Sequence, residues 1–116
     1  MKINLLVIKT ANIHTLKDFY CLLGCEFEYH CHEQGIFHYA ANIEGVVFEI
    51  YPLPKEISKV DKSTRLGFEV ADLAEMMVNL KENKVKIISE LKQTETGIFA
   101  IIADLDGRKI ELFQKK

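Results

Sequence analysis

One phrase occurs twice in this chain. Gly45-Val46-Val47-Phe48-Glu49-Ile50-Tyr51 matches Gly107-Arg108-Lys109-Ile110-Glu111-Leu112-Phe113, with glycine, glutamate and the following apolar pair in register. Each phrase follows a turn signal (Glu44-Gly45, Asp106-Gly107) and runs into β-forming residues, so each reads as a tight turn feeding a strand. A glutamate between apolar neighbours is unusual, because an unpaired buried carboxylate is costly. Two copies of so unusual a feature point to an internally duplicated chain.

The rest of the sequence follows that plan. Residues 3–10 form an apolar β-rich run, expected as a strand buried on both faces. Asn12 is placed to cap a helix over 13–23, with Gly24 at its end. Three strands are expected next, over 25–32, 36–41 and 46–53, turning at Gln34-Gly35 and Glu44-Gly45. A polar, proline-bearing linker spans 54–62. The second half gives a strand at 66–70, a helix from Asp72 to Glu82, and strands at 86–91, 98–103 and 109–114. Asp72 with Glu75 resembles a capping box. Thr10-Ala11-Asn12-Ile13 overlies Val70-Ala71-Asp72-Leu73 at an offset of 60. The expected fold is α+β, a duplicated βαβββ in one domain: module one 1–53, linker 54–62, module two 63–116.

Length and charge narrow the function classes. A chain of 116 residues has room for one core with a pocket rather than for two independent domains. Its net charge of −2, without a basic run, argues against nucleic acid and anionic membrane as partners. No stretch has the length of a membrane span. Three cysteines without an export signal point to reduced thiols in the cytoplasm. The spacings of Cys21, Cys25 and Cys31 lack the paired knuckle of a zinc site.

Ile13 through Asp18-Phe19-Tyr20 to Leu22-Leu23-Gly24, together with Asp104-Leu105-Asp106-Gly107-Arg108-Lys109-Ile110-Glu111-Leu112, resembles the opening and closing phrases of the vicinal oxygen chelate superfamily. That group holds glyoxalase I, the bleomycin- and fosfomycin-resistance proteins and the extradiol dioxygenases. The resemblance implies a cupped, incomplete mixed β-barrel with helices outside, often completed between the protomers of a homodimer. It also implies a cavity whose metal ligands come from the first and last strand of each module. The last-strand positions are Glu49 and Glu111. The first-strand positions fall on Leu5 and Arg65, and neither residue can coordinate a cation.

The inherited metal site is therefore expected to be lost. Arg65 would supply the missing positive charge beside Glu49 and Glu111, and no cofactor is expected. Glu49 and Glu111 are also the candidates for catalytic acid–base work, set against a buried ion-pair network that merely closes the site. If both turns of module one have two residues, Cys31 pairs with His38, and His38 lies opposite Tyr51 and diagonal to Glu49. The expected ligand-binding set is Arg65, Glu49, Glu111, His38, Tyr51 and Phe113, with Glu49, Glu111 and His38 as a fallback metal set. His30, His32 and His38, with Cys31, are weighed as a substitute metal site or ligand-binding wall against ordinary surface or core histidines, and His14, at a helix start, is expected to be solvated.

Three functions are compatible with these residues. The first is a metal-free protein that binds or sequesters a small organic ligand. The second is a lyase, isomerase or dioxygenase with a rearranged metal site. The third is a structural dimer whose cavity is filled.

Overall fold

A computed structural model describes residues 1–31 and 35–116. The chain divides into two compact units, residues 1–61 and 62–116. The first contains β1 (Leu5–Thr10), α1 (Ile13–Cys21), β2 (Phe27–His30), β3 (His38–Ile43) and β4 (Val46–Pro52). The second contains β5 (Leu66–Glu69), α2 (Leu73–Glu82), β6 (Ile87–Gln93), β7 (Gly97–Ala103) and β8 (Lys109–Lys115). Each unit is thus a βαβββ module with one open, mixed four-stranded sheet, ordered β1-β4-β3-β2 and β5-β8-β7-β6. In each, the first strand runs parallel to the last, and the other neighbours are antiparallel. No helix among the described residues is long and apolar enough to cross a membrane.

In the first unit, Asn12 caps α1 by accepting hydrogen bonds from the backbone N–H groups of His14 (3.0 Å) and Thr15 (3.2 Å). Ile13, Leu16, Phe19 and Tyr20 form the buried stripe of the helix. Tyr20 meets Phe48 edge-on at 5.0 Å, and Phe27 adds a second ring against Phe48 at 5.9 Å. The helix ends at Cys21, earlier than expected. The Gly24 N–H donates to the Cys21 carbonyl and the Cys25 N–H to the Tyr20 carbonyl, a Schellman closure with Gly24 at φ +100°. Strand β1 is buried on one face only: Ile8 and Thr10 are buried, whereas Leu5 and Val7 are exposed. This corrects the expectation of a two-faced strand, since the unit has a helix on one side of its sheet alone.

The β3–β4 turn is the two-residue hairpin expected at Glu44-Gly45. Both residues have positive φ (48° and 92°), and Ile43 pairs with Val46. The β2–β3 pairing differs from expectation. His30, not Cys31, lies opposite His38, and Tyr29 faces Tyr39. Part of that connection, including His32 and Gln34, lies outside the described residues.

In the second unit, Asp72 caps α2 through the Glu75 N–H at 3.0 Å, and Gln114 reaches from β8 to accept from the Leu73 N–H at 2.8 Å. Leu73, Met77 and Leu80 of the helix are buried, as are Ala100, Ile102, Ile110 and Leu112 of the sheet. Ile110 and Leu112 point inward, so the period of two turns Glu111 outward, and it is exposed. The apparent oddity of a carboxylate between apolar neighbours is resolved: Glu111 is not buried.

The buried charge of this unit is Arg108, 1% exposed. Its guanidinium bonds Asp106 at 2.8 Å and Asp104 at 3.2 Å. The other oxygen of Asp104 accepts from the N–H groups of Asp106 (2.9 Å) and Arg108 (3.0 Å). Burial pulls the Arg108 pKa down, but the hydrogen bonds to both carboxylates outweigh it, so the group is held above its ordinary value. The Asp-Gly turn is therefore one part of a longer connection that Asp104 folds around itself. Ala103 and Lys109 are the last β7–β8 pair before it.

Candidate functional site

The face of the first unit's sheet turned away from α1 gathers most of the polar candidates. In the β3–β4 register Ala40 lies opposite Glu49 and Tyr39 opposite Ile50, so His38 falls level with Tyr51. The rings of His38 and Tyr51 stack at 4.2 Å with 7° between their planes. His38 Nε2 lies 3.3 Å from Glu49 Oε2. The sequence-derived placement of His38, opposite Tyr51 and diagonal to Glu49, therefore matches the geometry.

The state of His38 follows from its other nitrogen. Nδ1 is 3.0 Å from the Ile36 carbonyl, and a carbonyl only accepts, so Nδ1 carries a hydrogen. Nε2 is thereby turned to the Glu49 carboxylate, which is 17% exposed, while the His38 side chain is 0% exposed. Burial and the neighbouring Glu49 charge both hold the Tyr51 hydroxyl above its ordinary pKa.

A second imidazole–carboxylate pair lies beside the first. His30 Nε2 is 2.8 Å from Glu28 Oε2. The His30 and His38 rings, on paired strands, have centroids 5.8 Å apart. Next to them is a cavity of about 530 Å³ whose lining includes Glu26, Glu28, His30, Asn42 and Val47, with no Lys or Arg among the described lining residues. Sequence reasoning passed over Glu26, Glu28 and Asn42. The available signal was alternation: with Glu49 on this face, the pairing of Ala40 with both Glu49 and Glu28 carries the same side onto β2.

The remaining candidates lie elsewhere. His14, expected to be solvated, is exposed but bonded through Nδ1 to the Tyr39 hydroxyl at 2.8 Å, on the helix side. In the second unit, Glu111 lies opposite Gly67 on β5 and Phe113 opposite Glu69. Arg65 immediately precedes β5. Arg65 and Glu111 are both exposed, and among the described residues no ion pair joins them. The partner that the first unit gives Glu49 is His38.

For the divalent metal that the resemblance implies, the donors do not fit. Leu5 offers no lone pair, Arg65 is a cation, and the Nε2 of His38 is turned to Glu49 rather than to an open position. Among the described residues no group of three or more His, Cys, Asp or Glu side chains is placed to hold a metal ion. Burial pushes the Cys25 thiol up to about 11, away from the thiolate that zinc requires.

Comparison with solved structures supports the architecture. TnmS3, an antibiotic binding protein from Streptomyces sp. CB03234, superimposes with a TM-score of 0.77 at 21% identity, covering 100% of this chain and 97% of that one. The oxidase ChaP-H2 gives a TM-score of 0.81 at 13% identity, covering 100% and 94%. An integron cassette protein from the mobile metagenome of V. cholerae gives 0.73 at 20%, covering 100% and 96%. At such identities the likeness is one of fold. No curated protein matches the chain. The profile of one family does match, over residues 2–112, and with the duplicated βαβββ modules it places the chain in the Glyoxalase/Bleomycin resistance protein/Dioxygenase superfamily.

Proposed function

We propose that this chain is a metal-free, small-molecule-binding member of its superfamily, with the ligand held on the sheet face of the first unit that carries His38 and Glu49. The observation that carries this reading is the cavity of about 530 Å³ on that face, within the usual range for small-ligand sites. It also weighs against the reading as a structural protein with a filled cavity. The carboxylates of Glu26 and Glu28, with no Lys or Arg among the described lining residues, suit a ligand that presents hydrogen-bond donors. His38, fully buried and stacked on Tyr51, acts with the neighbouring Glu49 as part of the floor of the site rather than as a reactive pair. Within the second unit, taken by itself, Arg65, Glu111 and Phe113 remain proposed ligand contacts, Arg65 meeting an anionic group. The antibiotic-binding activity named for TnmS3 agrees with this class of function. The proposed setting is the cytoplasm, in keeping with free Cys21, Cys25 and Cys31, and the proposed protein partner is a second copy of the chain.

Two measurements test the reading together. Metal content is determined by plasma mass spectrometry after dialysis against nickel, zinc, manganese and iron(II) in turn. Thermal shift is then read against a panel of aromatic amines and aromatic acids. We expect no stoichiometric metal and at least one stabilising compound whose effect is lost in Val47→Trp, which fills the cavity. One metal per chain, lost in Glu49→Gln, would overturn the proposal in favour of a metal-dependent lyase, isomerase or dioxygenase using Glu49, Glu111 and His38.

A further inference from the structure

Among the described residues strand β2 is the last strand of its sheet, so one side of its backbone faces no other described strand of that sheet. Edge strands are usually protected by lysine, proline or a covering element, because a bare edge is a template for another strand. The residues of β2 include neither lysine nor proline: Phe27, Glu28, Tyr29 and His30. Tyr29 is 50% exposed, and the neighbouring Ile36 and Phe37 are 58% and 53% exposed. Tyr29 and Phe37 stack at 5.0 Å with 19° between their planes, forming a flat apolar shelf at the edge. An apolar shelf beside an open strand is a surface suited to a partner.

The sequence of β2 is complementary to itself when reversed. A two-fold axis through Tyr29 sets β2 antiparallel to a second copy. Tyr29 then lies opposite the partner's Tyr29, and Glu28 lies opposite the partner's His30, twice over by symmetry. Directly opposed residues of an antiparallel pair share a face, so the carboxylates and imidazoles fall on one side and the tyrosines on the other. The Glu28–His30 contact inside one chain (2.8 Å) would become part of a row of alternating acceptor and donor groups. At the opposite edge, β1 offers exposed Leu5 and Val7, a row without a polar complement to fix a register.

We propose that two copies of the chain join edge to edge through antiparallel β2–β2 pairing centred on Tyr29, and that the partner's Glu28 and His30 extend the wall of the ligand cavity. The inference deepens the reading above, which names a second copy without a surface. It is tested without ligand, so its failure and that of the ligand reading are separable.

Sedimentation of the full chain should show a dimer at micromolar concentration. Glu28→His alone sets imidazole against imidazole, and His30→Glu alone sets carboxylate against carboxylate. Each substitution acts at two symmetry-related positions and should raise the dissociation constant about tenfold. The exchanged double variant, Glu28→His with His30→Glu, should restore it. In Tyr29→Cys, mild oxidation should give a disulfide that peptide mass mapping places between residue 29 of both copies. A monomer at all concentrations would overturn the proposal. So would a dimer insensitive to both single substitutions and lacking the 29–29 link, which would direct attention to β1.

Discussion

At Arg108 a guanidinium is taken out of water, and its tolerance depends on which partner is removed. Asp104 is fully buried; it binds the guanidinium at 3.2 Å and accepts two backbone N–H groups as well. Asp106 makes the shorter contact, 2.8 Å, but its side chain is 15% exposed and water can replace it in part. Removing one partner of a buried pair costs about 3–5 kcal/mol, because the remaining charge is left uncompensated. Asp104→Ala should therefore lower stability to urea by about that amount, and Asp106→Ala by clearly less. Equal losses would show that the network carries less than its geometry suggests. This group was hidden in the sequence although all its members were in view. Glutamate drew attention because it repeats, whereas Arg108 occurs in one copy only, opposite Val46 of the other. The legible signal was the pair of aspartates two and four residues before an arginine, which a single turn brings around it.

The helix endings compare the two modules directly. Gly24 closes α1 at φ +100°, and at the offset of 60 its counterpart is Lys84, at φ +60°. The same bonds close both helices: the Val85 N–H donates to the Leu80 carbonyl and the Lys84 N–H to the Lys81 carbonyl, each at 3.0 Å. A lysine there carries the left-handed strain that glycine avoids, offset in part by the extra chain entropy of glycine when unfolded. Lys84→Gly should accordingly raise stability by about 0.5–1 kcal/mol, read as a higher denaturant midpoint at unchanged slope; a loss would show that the Lys84 side chain has a role of its own. Caps and turns of this kind made the element order legible, since each rests on a local rule about one or two residues. Register was legible only where a turn dictated it. At Glu44-Gly45 two positive φ angles force a two-residue hairpin, and the position of His38 against Tyr51 and Glu49 followed. Between β2 and β3 no such rule applied. Aromatic rings and imidazoles occupy both faces there (Tyr29 and Tyr39, His30 and His38), so polarity did not penalise a slip of one residue.

At the scale of the molecule, the duplication gives each unit its own sheet, its own helix and its own buried cluster, and the chain that joins them exposes its lysines. Beyond β4, residues 53–65 contain no strand or helix, and Lys55, Lys59 and Lys62 are exposed. One backbone bond, from the Ile57 N–H to the Pro54 carbonyl at 3.0 Å, closes a turn there. Protease attack requires an extended, accessible stretch of backbone, and lysines within strands and helices are withheld by their ladders. Brief trypsin treatment of the native protein should therefore cut first after Lys55, Lys59 or Lys62, giving two fragments whose masses divide the chain near the proposed linker, 54–62. Each unit has a hydrophobic centre built from its own residues, Leu16, Tyr20, Phe48 and Ile50 in one and Leu73, Leu80, Ile102, Ile110 and Leu112 in the other. Both fragments should then resist further digestion for longer than the intact chain resists the first cut. If the earliest cuts fell at Lys9 in β1 or Lys109 in β8, the strands would be opening before the linker, and the modules would not be the cooperative units of this fold.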